Sequence, residues 1–299
     1  MRSILLITCL AAALGACEET VGGNQPVGGD VDTDAEIQRF LRRVYLDLTG
    51  SGPSDADLTA STTRLREAGN TPVARGELVA DLVAKAAFTK IWVEELENGI
   101  FGGLDLDQHY RFVCSLVRPG DPACNACTQT DACLCTCPSI AMLKTQRDQL
   151  MTSAPDLMSG TSTSALERRY ALSSGYYALA GTPEGRVRAL FDDFLSRTPE
   201  PDEIENGRSM VIFQDGFLNN SAVAFMFHRH GGNYADMIDI IFDSEVYREA
   251  MVLRAFQRYL ARAPTSVELA HFTTTLDATE PDMRPLVRAL VSSREYFSQ

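Results

Sequence analysis

The sequence predicts a mainly α-helical protein, in which repeated helix–corner–helix units form helical bundles and a disulfide-rich irregular loop is inserted between them. Three observations predict this class. Apolar residues recur every three or four positions in many short segments, which is the spacing of one helix face. Three of these segments end at a corner that contains proline. Six cysteines cluster between positions 114 and 137, in an otherwise polar stretch.

Residues 1–16, MRSILLITCLAAALGA, have the pattern of a secretory signal peptide, with an apolar run too short to span a bilayer. The LGAC ending at Leu14–Cys17 resembles the lipobox of bacterial lipoproteins. That resemblance implies cleavage before Cys17, acylation of this cysteine, and an exported chain anchored by lipid in the bacterial cell envelope. The outer membrane is the expected location, on its periplasmic side or at the cell surface, with the inner membrane left open. An ordinary signal peptide cleaved near the same point would give export without the anchor.

Residues 17–34 predict a flexible acidic tether, because glycine and acidic residues dominate and no apolar periodicity is present. Asp30, Asp32 and Asp34 alternate as they do at the start of a calcium-binding loop. However, Ala35 stands where such a loop has glycine, and Leu41 stands where it has its bidentate glutamate. The segment is therefore interpreted as a solvated tether rather than a cation site.

Residues 35–110 predict the first helical unit. The stretch FLRRVYLDLTGSGPSDADL, from Phe40 to Leu58, begins as a helix whose charged side chains Arg42 and Arg43 face outward. Glycine and Pro53 end that helix, and Ser54 with Asp57 predicts a capping box for the next one. The apolar face of the first helix consists of Ile37, Phe40, Leu41, Val44, Tyr45 and Leu48.

The same layout recurs twice within residues 182–299, which are expected to form a C-terminal pair of helical units. Pro199 and Pro264 occupy the place of Pro53, and Thr265 with Glu268 predicts a capping box. Each of the three units also closes on an aromatic residue after a short apolar segment. Those closing residues are Phe88, Tyr247 and Tyr296. Three matches to one layout predict an internal repeat.

Two resemblances to known families follow from these motifs. FLRRVYLDLTGSGPSDADL is similar to a domain of unknown function found beside cytochrome c modules in large planctomycete proteins, over residues 35–96, although Ser51-Gly52 replaces that family's usual apolar–proline pair. Residues 186–299 resemble a phycobilisome-linker-related domain of unknown function that is common in exported proteins. The matching positions are Arg197, Pro199, Ser244, Tyr247, Arg262, Pro264, Ser293 and Tyr296. Neither family implies a catalytic residue; both imply a helical module used for assembly or display.

The cysteine-rich loop spans residues 111–140 and is followed by connecting helices over 141–181. In an exported chain its even number of closely set cysteines predicts three disulfides, with fifteen possible pairings. Disulfide geometry disfavours bonds between cysteines two positions apart, so each of the last three should pair with one of the first three. The candidates are Cys114, Cys124, Cys127, Cys133, Cys135 and Cys137.

Cysteines at these spacings also occur in three other kinds of site. A zinc or iron–sulfur site could use four of the six thiols, although export favours oxidation. The Cys124-x-x-Cys127 pair could be redox-active, but no βαβ context surrounds it. Thr128 stands where a c-type haem attachment motif has histidine, so that motif is absent.

The histidines are few. His228 and His230 lie two positions apart before Gly231-Gly232, which predicts a helix C-terminus; they remain weak metal candidates, because only an extended segment would let both meet one ion. His109 lies near Asp105 and Asp107 and could join a metal site only through folding. His271 is expected on a helix in an ordinary structural role.

Catalytic motifs are absent: the chain has no G-x-S-x-G, no phosphate-binding G-x-x-x-x-G-K-[ST], no H-E-x-x-H and no dinucleotide fingerprint. The adjacent acids Glu94-Glu95 and Asp192-Asp193 are interpreted as solvated helix faces. A formal net charge of −13 also argues against a nucleic-acid partner.

The expected function is that of a non-catalytic, envelope-anchored lipoprotein acting as a structural or protein-binding module. It would need no cofactor. Its partners would be the lipid bilayer, through the acyl group on Cys17, and a protein of the cell envelope. The alternatives are a redox accessory that docks with a cytochrome-bearing partner, and a metal-dependent enzyme that uses His228, His230 and the thiols.

Overall fold

A computed structural model describes residues 32–120, 122–214 and 224–299 of the chain. These residues are mainly α-helical, which confirms the predicted fold class, and Asp34–Gln299 form one compact unit. None of the helices described is long and apolar enough to cross a membrane. The predicted signal peptide, Cys17 and nearly all of the predicted tether lie outside the described residues.

The first helix and the start of the second agree with the sequence prediction. Helix α1 buries all six residues of its predicted apolar face, and it ends at Gly50, whose φ of +67° favours glycine. Ser54 then caps α2 by accepting a hydrogen bond from the Asp57 N–H at 3.1 Å, while the Asp57 carboxylate accepts from the Ser54 hydroxyl. The first four helices are α1 (Asp34–Thr49), α2 (Asp55–Glu67), α3 (Pro72–Val83) and α4 (Ala86–Ile100).

The middle of the chain contains two groups of helices. The first group forms the cysteine-rich region and consists of α5 (Leu106–Gly120), α6 (Pro122–Asn125), a 3-10 turn (Ala132–Leu134) and α7 (Pro138–Met151). We call residues 106–151 the cystine lobe and the remaining described residues the helical body. The second group belongs to the body and consists of α8 (Ser153–Met158), α9 (Thr163–Ala171), α10 (Ser174–Leu179), α11 (Pro183–Leu195) and α12 (Pro201–Gln214).

The rest of the body begins with a two-stranded antiparallel hairpin and ends with five helices. The hairpin pairs Phe225 with His230 directly across the strands. Its strands are β1 (Ala224–Met226) and β2 (Arg229–Gly231). The helices are α13 (Tyr234–Phe242), α14 (Glu245–Leu260), α15 (Ser266–Thr275), α16 (Met283–Val291) and α17 (Arg294–Ser298).

Helix α14 links the two large cores of the body. Its first half places Tyr247 and Met251 in a core formed with α9–α13, and its second half places Phe256 and Leu260 in a core formed with α1–α4, α16 and α17. The N-terminal helices and the C-terminal helices therefore share one hydrophobic core. Burial of apolar area on this scale is what stabilises a domain of this size without crosslinks.

The two proline corners of the C-terminal half share one set of contacts. Each preceding helix ends on a residue in the left-handed conformation, Ser196 with φ 53° or Ala261 with φ 54°. The next residue, Arg197 or Arg262, then forms a two-pronged ion pair with a glutamate six positions later, with distances of 2.6–2.9 Å. That glutamate, which is Glu268 in the second corner, completes the predicted capping box there with Thr265.

The outward-facing role predicted for two arginines of α1 holds for Arg42 and is wrong for Arg43. Arg42 is exposed, whereas the Arg43 guanidinium lies 4.3 Å from the Tyr296 ring centre and donates to the Gln299 side chain. Tyr296 in turn donates to the Asp47 carboxylate at 2.6 Å. The charged residues of the first helix therefore hold the last helix in place.

The closing aromatic residues are fixed by serine caps in two of the three predicted units. The Ser244 hydroxyl accepts from the Tyr247 N–H at 3.0 Å, and the Ser293 hydroxyl accepts from the Tyr296 N–H at 3.2 Å. At the third, before Phe88, the cap residue is Lys85 and makes no side-chain bond. The internal repeat stays a prediction, because shared caps do not show that whole units have one fold.

Candidate functional site

The six cysteines of the lobe form three disulfides. The bonded pairs are Cys114–Cys133, Cys124–Cys137 and Cys127–Cys135, with Cα–Cα distances of 5.4, 5.2 and 5.7 Å. Each of the last three cysteines pairs with one of the first three, which confirms the prediction. Because all six sulfurs are used in pairs, none is left as a thiolate ligand for the alternative zinc or iron–sulfur site.

The cystines also supply much of the lobe's interior. Four of the eight residues in its buried core are cysteines, namely Cys114, Cys124, Cys135 and Cys137. The other four are Tyr110, Val113, Ile140 and Leu143 on α5 and α7. The segment between those helices is too polar to bury a core of its own, so the crosslinks replace the missing apolar contacts.

Asp131 fixes the irregular part of the lobe. One carboxylate oxygen accepts from the Cys133 N–H at 3.0 Å and starts the 3-10 turn. The other accepts from Arg111 on α5 at 3.1 Å. These bonds hold the turn against α5 beside the Cys114–Cys133 disulfide.

The outer surface of the lobe exposes large apolar side chains. Phe112 and Leu116 lie one turn apart on α5, on the side of the helix opposite the buried Cys114. Leu134 in the 3-10 turn and Met142 on α7 are exposed as well. Single exposed apolar residues are common on protein surfaces, whereas neighbouring ones on a crosslinked support form a candidate binding surface.

His109 lies where the lobe joins the body. Its ring stacks on Phe101 at the end of α4, with ring centres 4.0 Å apart and an interplanar angle of 14°. The side chain is 3% exposed, and neither ring nitrogen has a hydrogen-bond partner. Burial lowers the pKa of the imidazole to about 4. A metal site with Asp105 and Asp107 is not formed, since Asp107 lies 3.6 Å from Arg147 instead.

Two clefts flank α7 where it meets the body. The smaller one has a volume of about 20 Å³ and is lined by His109, Gln146, Arg147 and Gly175 among others. The larger one, of about 310 Å³, is an open groove whose lining includes Leu150, Arg168 and Arg169. Both arginines are already paired, Arg168 with acidic residues of α13 and its C-cap and Arg169 with Asp156. The larger groove therefore has little spare positive charge to attract an anion.

The predicted helix C-terminus at His228 and His230 is wrong. Both histidines lie in the β-hairpin, His228 in the turn with φ 63° and His230 in β2. Their rings contact Phe225, with centre distances of 6.2 and 4.9 Å. Across the residues that the structure describes, no group of three or more metal-ligating side chains comes together, here or elsewhere. His271 lies on α15, as predicted, with its ring against Phe272.

Buried tyrosine–carboxylate pairs in the body were not predicted from the sequence. Tyr176 donates to Asp193 at 2.7 Å, and burial raises the pKa of Asp193, so the solvated face predicted for that residue is wrong. Tyr170 donates to Glu97 at 2.7 Å, and burial raises the pKa of Glu97 in the same way. The tyrosine of each pair lies in the core formed with α9–α13. There the hydrogen bond lowers the free-energy cost of burying the carboxylate.

A third pair is part of a larger buried cluster. Tyr247 donates to Glu167 at 2.8 Å, and Arg254 forms an ion pair with the same carboxylate at 3.0 Å. The three groups come from α9 and α14, so the cluster ties these helices together. The sequence signals only the Ser244-x-x-Tyr247 cap; that Glu167 faces it depends on a contact between distant segments.

Comparison with known proteins gives no relative. No family model, no curated protein and no solved structure matches the chain.

Proposed function

We propose that this protein is an envelope-anchored lipoprotein that acts as a non-catalytic protein-binding module and contacts its partner through the cystine lobe. The helical body would serve as the rigid support, and the acyl group on Cys17 would hold the module at the membrane. The observation that carries the proposal is the pair of exposed apolar side chains, Phe112 and Leu116, on a lobe whose conformation three disulfides fix.

Preorganisation explains why such a lobe suits binding. A flexible polar loop would lose conformational entropy when it bound a partner, and the disulfides remove most of that freedom beforehand. Phe112 and Leu116 can then bury apolar area without further ordering of the backbone. Aromatic and aliphatic residues placed in this way are typical anchors of protein–protein interfaces.

The binding surface is tested by site-specific photo-crosslinking in cells. A photoreactive phenylalanine analogue placed at position 112 should give a crosslinked protein adduct, and Leu116→Asp in the same chain should remove that adduct. Val267 on α15 is a matched control, because it is also exposed and apolar but lies on the body. An adduct that is unchanged by Leu116→Asp, or equally strong from position 267, would overturn the proposed surface.

The anchor is tested separately. Cells grown with radiolabelled palmitate should incorporate label into the full-length protein and not into a Cys17→Ser variant. Incorporation that survives Cys17→Ser would contradict the lipobox interpretation. This result does not depend on the crosslinking experiment, so the anchor and the binding surface can fail independently.

A further inference from the structure

We propose that His109 is a pH-sensitive latch that holds the cystine lobe against the helical body near neutral pH and releases it in acid. This latch would control how the surface proposed above is presented, so its use in the cell rests on that proposed function. The latch itself is testable without a partner.

The latch lies at a junction of three elements. His109 is on α5, five positions before Cys114, which belongs to the lobe's crosslinked core. Its ring stacks on Phe101 of the body and packs against Gly175 of α10. A Cβ atom at Gly175 would lie only 2.1 Å from the His109 Nε2 atom, so the close approach of α5 and α10 requires glycine there.

The neutral imidazole fits this junction and the protonated form does not. Neither ring nitrogen has a protein partner, and the adjoining cleft of about 20 Å³ has room for one water. One water can satisfy one nitrogen of a neutral ring. An imidazolium carries two N–H donors and a full charge, which this junction can neither pair nor solvate.

The charged groups around the junction do not favour the protonated ring. On α7, Arg147 lines the same cleft and adds a positive charge, with Asp107 of α5 and Asp148 each 3.6 Å from its guanidinium. Asp105, before α5, accepts from the Gln108 N–H at 2.7 Å. From the body, Tyr170 faces Phe101 and its hydroxyl is bonded to Glu97. These carboxylates already have partners, and α10 contributes only the neutral Gly175 and its cap Ser173 to the cleft.

The direction of the pH response follows from these contacts. We call the lobe closed when it packs against the body and open when it is released. In the closed state the pKa of His109 is about 4, below its ordinary value of 6.5, so the open state binds protons more readily between those two values. Closure is therefore fully favoured above about pH 6.5 and loses stability as the pH falls towards 4. The ratio of closed to open lobe should fall by about 30-fold between pH 7.5 and pH 5.

Release would leave the lobe folded. Its disulfides and buried core do not depend on the body. Among the described residues, the lobe also meets the body through Leu150 of α7, which is buried in the core formed with α9–α13. Hydrogen bonds run from the Ser174 N–H to Gln146 Oε1 at 3.1 Å and from Arg169 to the Gln149 carbonyl at 3.0 Å. Both acceptors are uncharged, so protonation in this range does not remove them directly, and the response is assigned to His109.

Hydrogen exchange in the full chain tests the latch. The Ser174 amide, which donates to Gln146 of the lobe, reports on release. Its exchange rate, corrected for the intrinsic effect of pH, should rise by about 30-fold from pH 7.5 to pH 5. The His109→Leu variant cannot take up a proton at this position, and its corrected rates should change less than threefold. His271→Leu is the matched control, because it removes a histidine on α15, and it should keep the wild-type response.

A second variant covers the case in which His109→Leu does not fold. Gly175→Ala places a methyl group against the imidazole, so the Ser174 amide should already exchange rapidly at pH 7.5, while the disulfide-bonded segment stays protected. The latch is wrong if the wild-type Ser174 amide keeps its protection at pH 5, or if His109→Leu opens with the same pH dependence. It is also wrong if Gly175→Ala leaves exchange at pH 7.5 unchanged.

Discussion

The helical body and the cystine lobe solve the same physical problem in different ways. The body buries large aliphatic and aromatic side chains in two cores that share α14. Apart from its cysteines, the lobe's own core contains four buried residues among those described, Tyr110, Val113, Ile140 and Leu143. Covalent bonds restrict its unfolded state instead, which reduces the entropy that folding must overcome. The difference shows that local composition decides whether burial or crosslinking stabilises a segment.

The two regions should also differ in what disrupts them. A core substitution in the body acts on helices from both ends of the chain, since α1–α4 pack with α14, α16 and α17. Loss of a disulfide should act within residues 106–151. Polar contacts at the corners of the body should have smaller effects, which depend on pH or on backbone conformation.

The largest effect is expected from Phe256→Ala. Phe256 is 1% exposed in the core shared by the N-terminal and C-terminal helices, and its removal leaves a cavity there. The free energy of unfolding should fall by about 3–5 kcal/mol. Chemical denaturation followed by circular dichroism measures this loss. Leu253→Ala is the control, because Leu253 lies on the same helix and is partly exposed, and an equal loss there would contradict a packing origin.

The next effect is expected from the double substitution Cys114→Ala, Cys133→Ala. This disulfide closes a loop with a sequence separation of 19, whereas Cys127–Cys135 closes one of 8. The lobe should lose about 3 kcal/mol without the first and about 2.5 kcal/mol without the second. Hydrogen exchange should report this loss in the lobe and leave α14 protected. An equal loss of exchange protection in α14 would show that the disulfide stabilises the body as much as the lobe.

Much of the fold could be predicted from the sequence, because burial patterns and caps are local signals. The apolar face of α1, the cap at Thr265 and the grouping of the cysteine partners are all observed. In each case the spacing of a few neighbouring residues determines the structure.

The features that could not be predicted depend on contacts between distant segments. Helical spacing predicts an outward-facing Arg43 because it shows only the direction from the helix axis, whereas Tyr296 covers that side chain from the other end of the chain. The hairpin around His228 has no local sequence signal, because its turn places Phe227 and His228, neither of them glycine, in left-handed conformations. The stacking of His109 on Phe101 likewise depends on a contact that the sequence does not indicate.

A smaller effect should distinguish the body from the lobe by the pH dependence of the free energy of unfolding. Glu268 is held by Arg262, which lowers the pKa of its carboxyl from 4.5 to about 2. The folded state is therefore stabilised above pH 4.5, and this contribution is lost as the pH falls towards 2. After allowance for solvent screening it amounts to about 1–2 kcal/mol. Urea unfolding of the body at pH 6 and pH 3 should show the loss in wild type and a smaller one in Glu268→Gln.

The corresponding substitution in the lobe provides the control. Asp131→Asn keeps the 3-10 turn's cap geometry but removes a charge paired with Arg111 at an exposed site. The unfolding free energy of the body should then keep its wild-type dependence on pH. An equal reduction of that dependence in Asp131→Asn and Glu268→Gln would contradict the assignment to the Arg262 corner.

The smallest effect distinguishes the corners within the body. Ala261 adopts φ 54° although it has a Cβ atom, whereas the first corner uses Gly50 at φ 67°. Ala261→Gly should stabilise the body by about 0.5 kcal/mol, because relief of strain slightly exceeds the entropy that glycine adds to the unfolded chain. Gly50→Ala should destabilise it by about 1 kcal/mol, since the new Cβ atom would also lie 2.6 Å from Ile91 Cδ1. Thermal melts of the two variants measure both shifts. Shifts of the same sign would show that the two corners do not differ in backbone strain, and that the Arg262 ion pairs alone set the stability of the second corner.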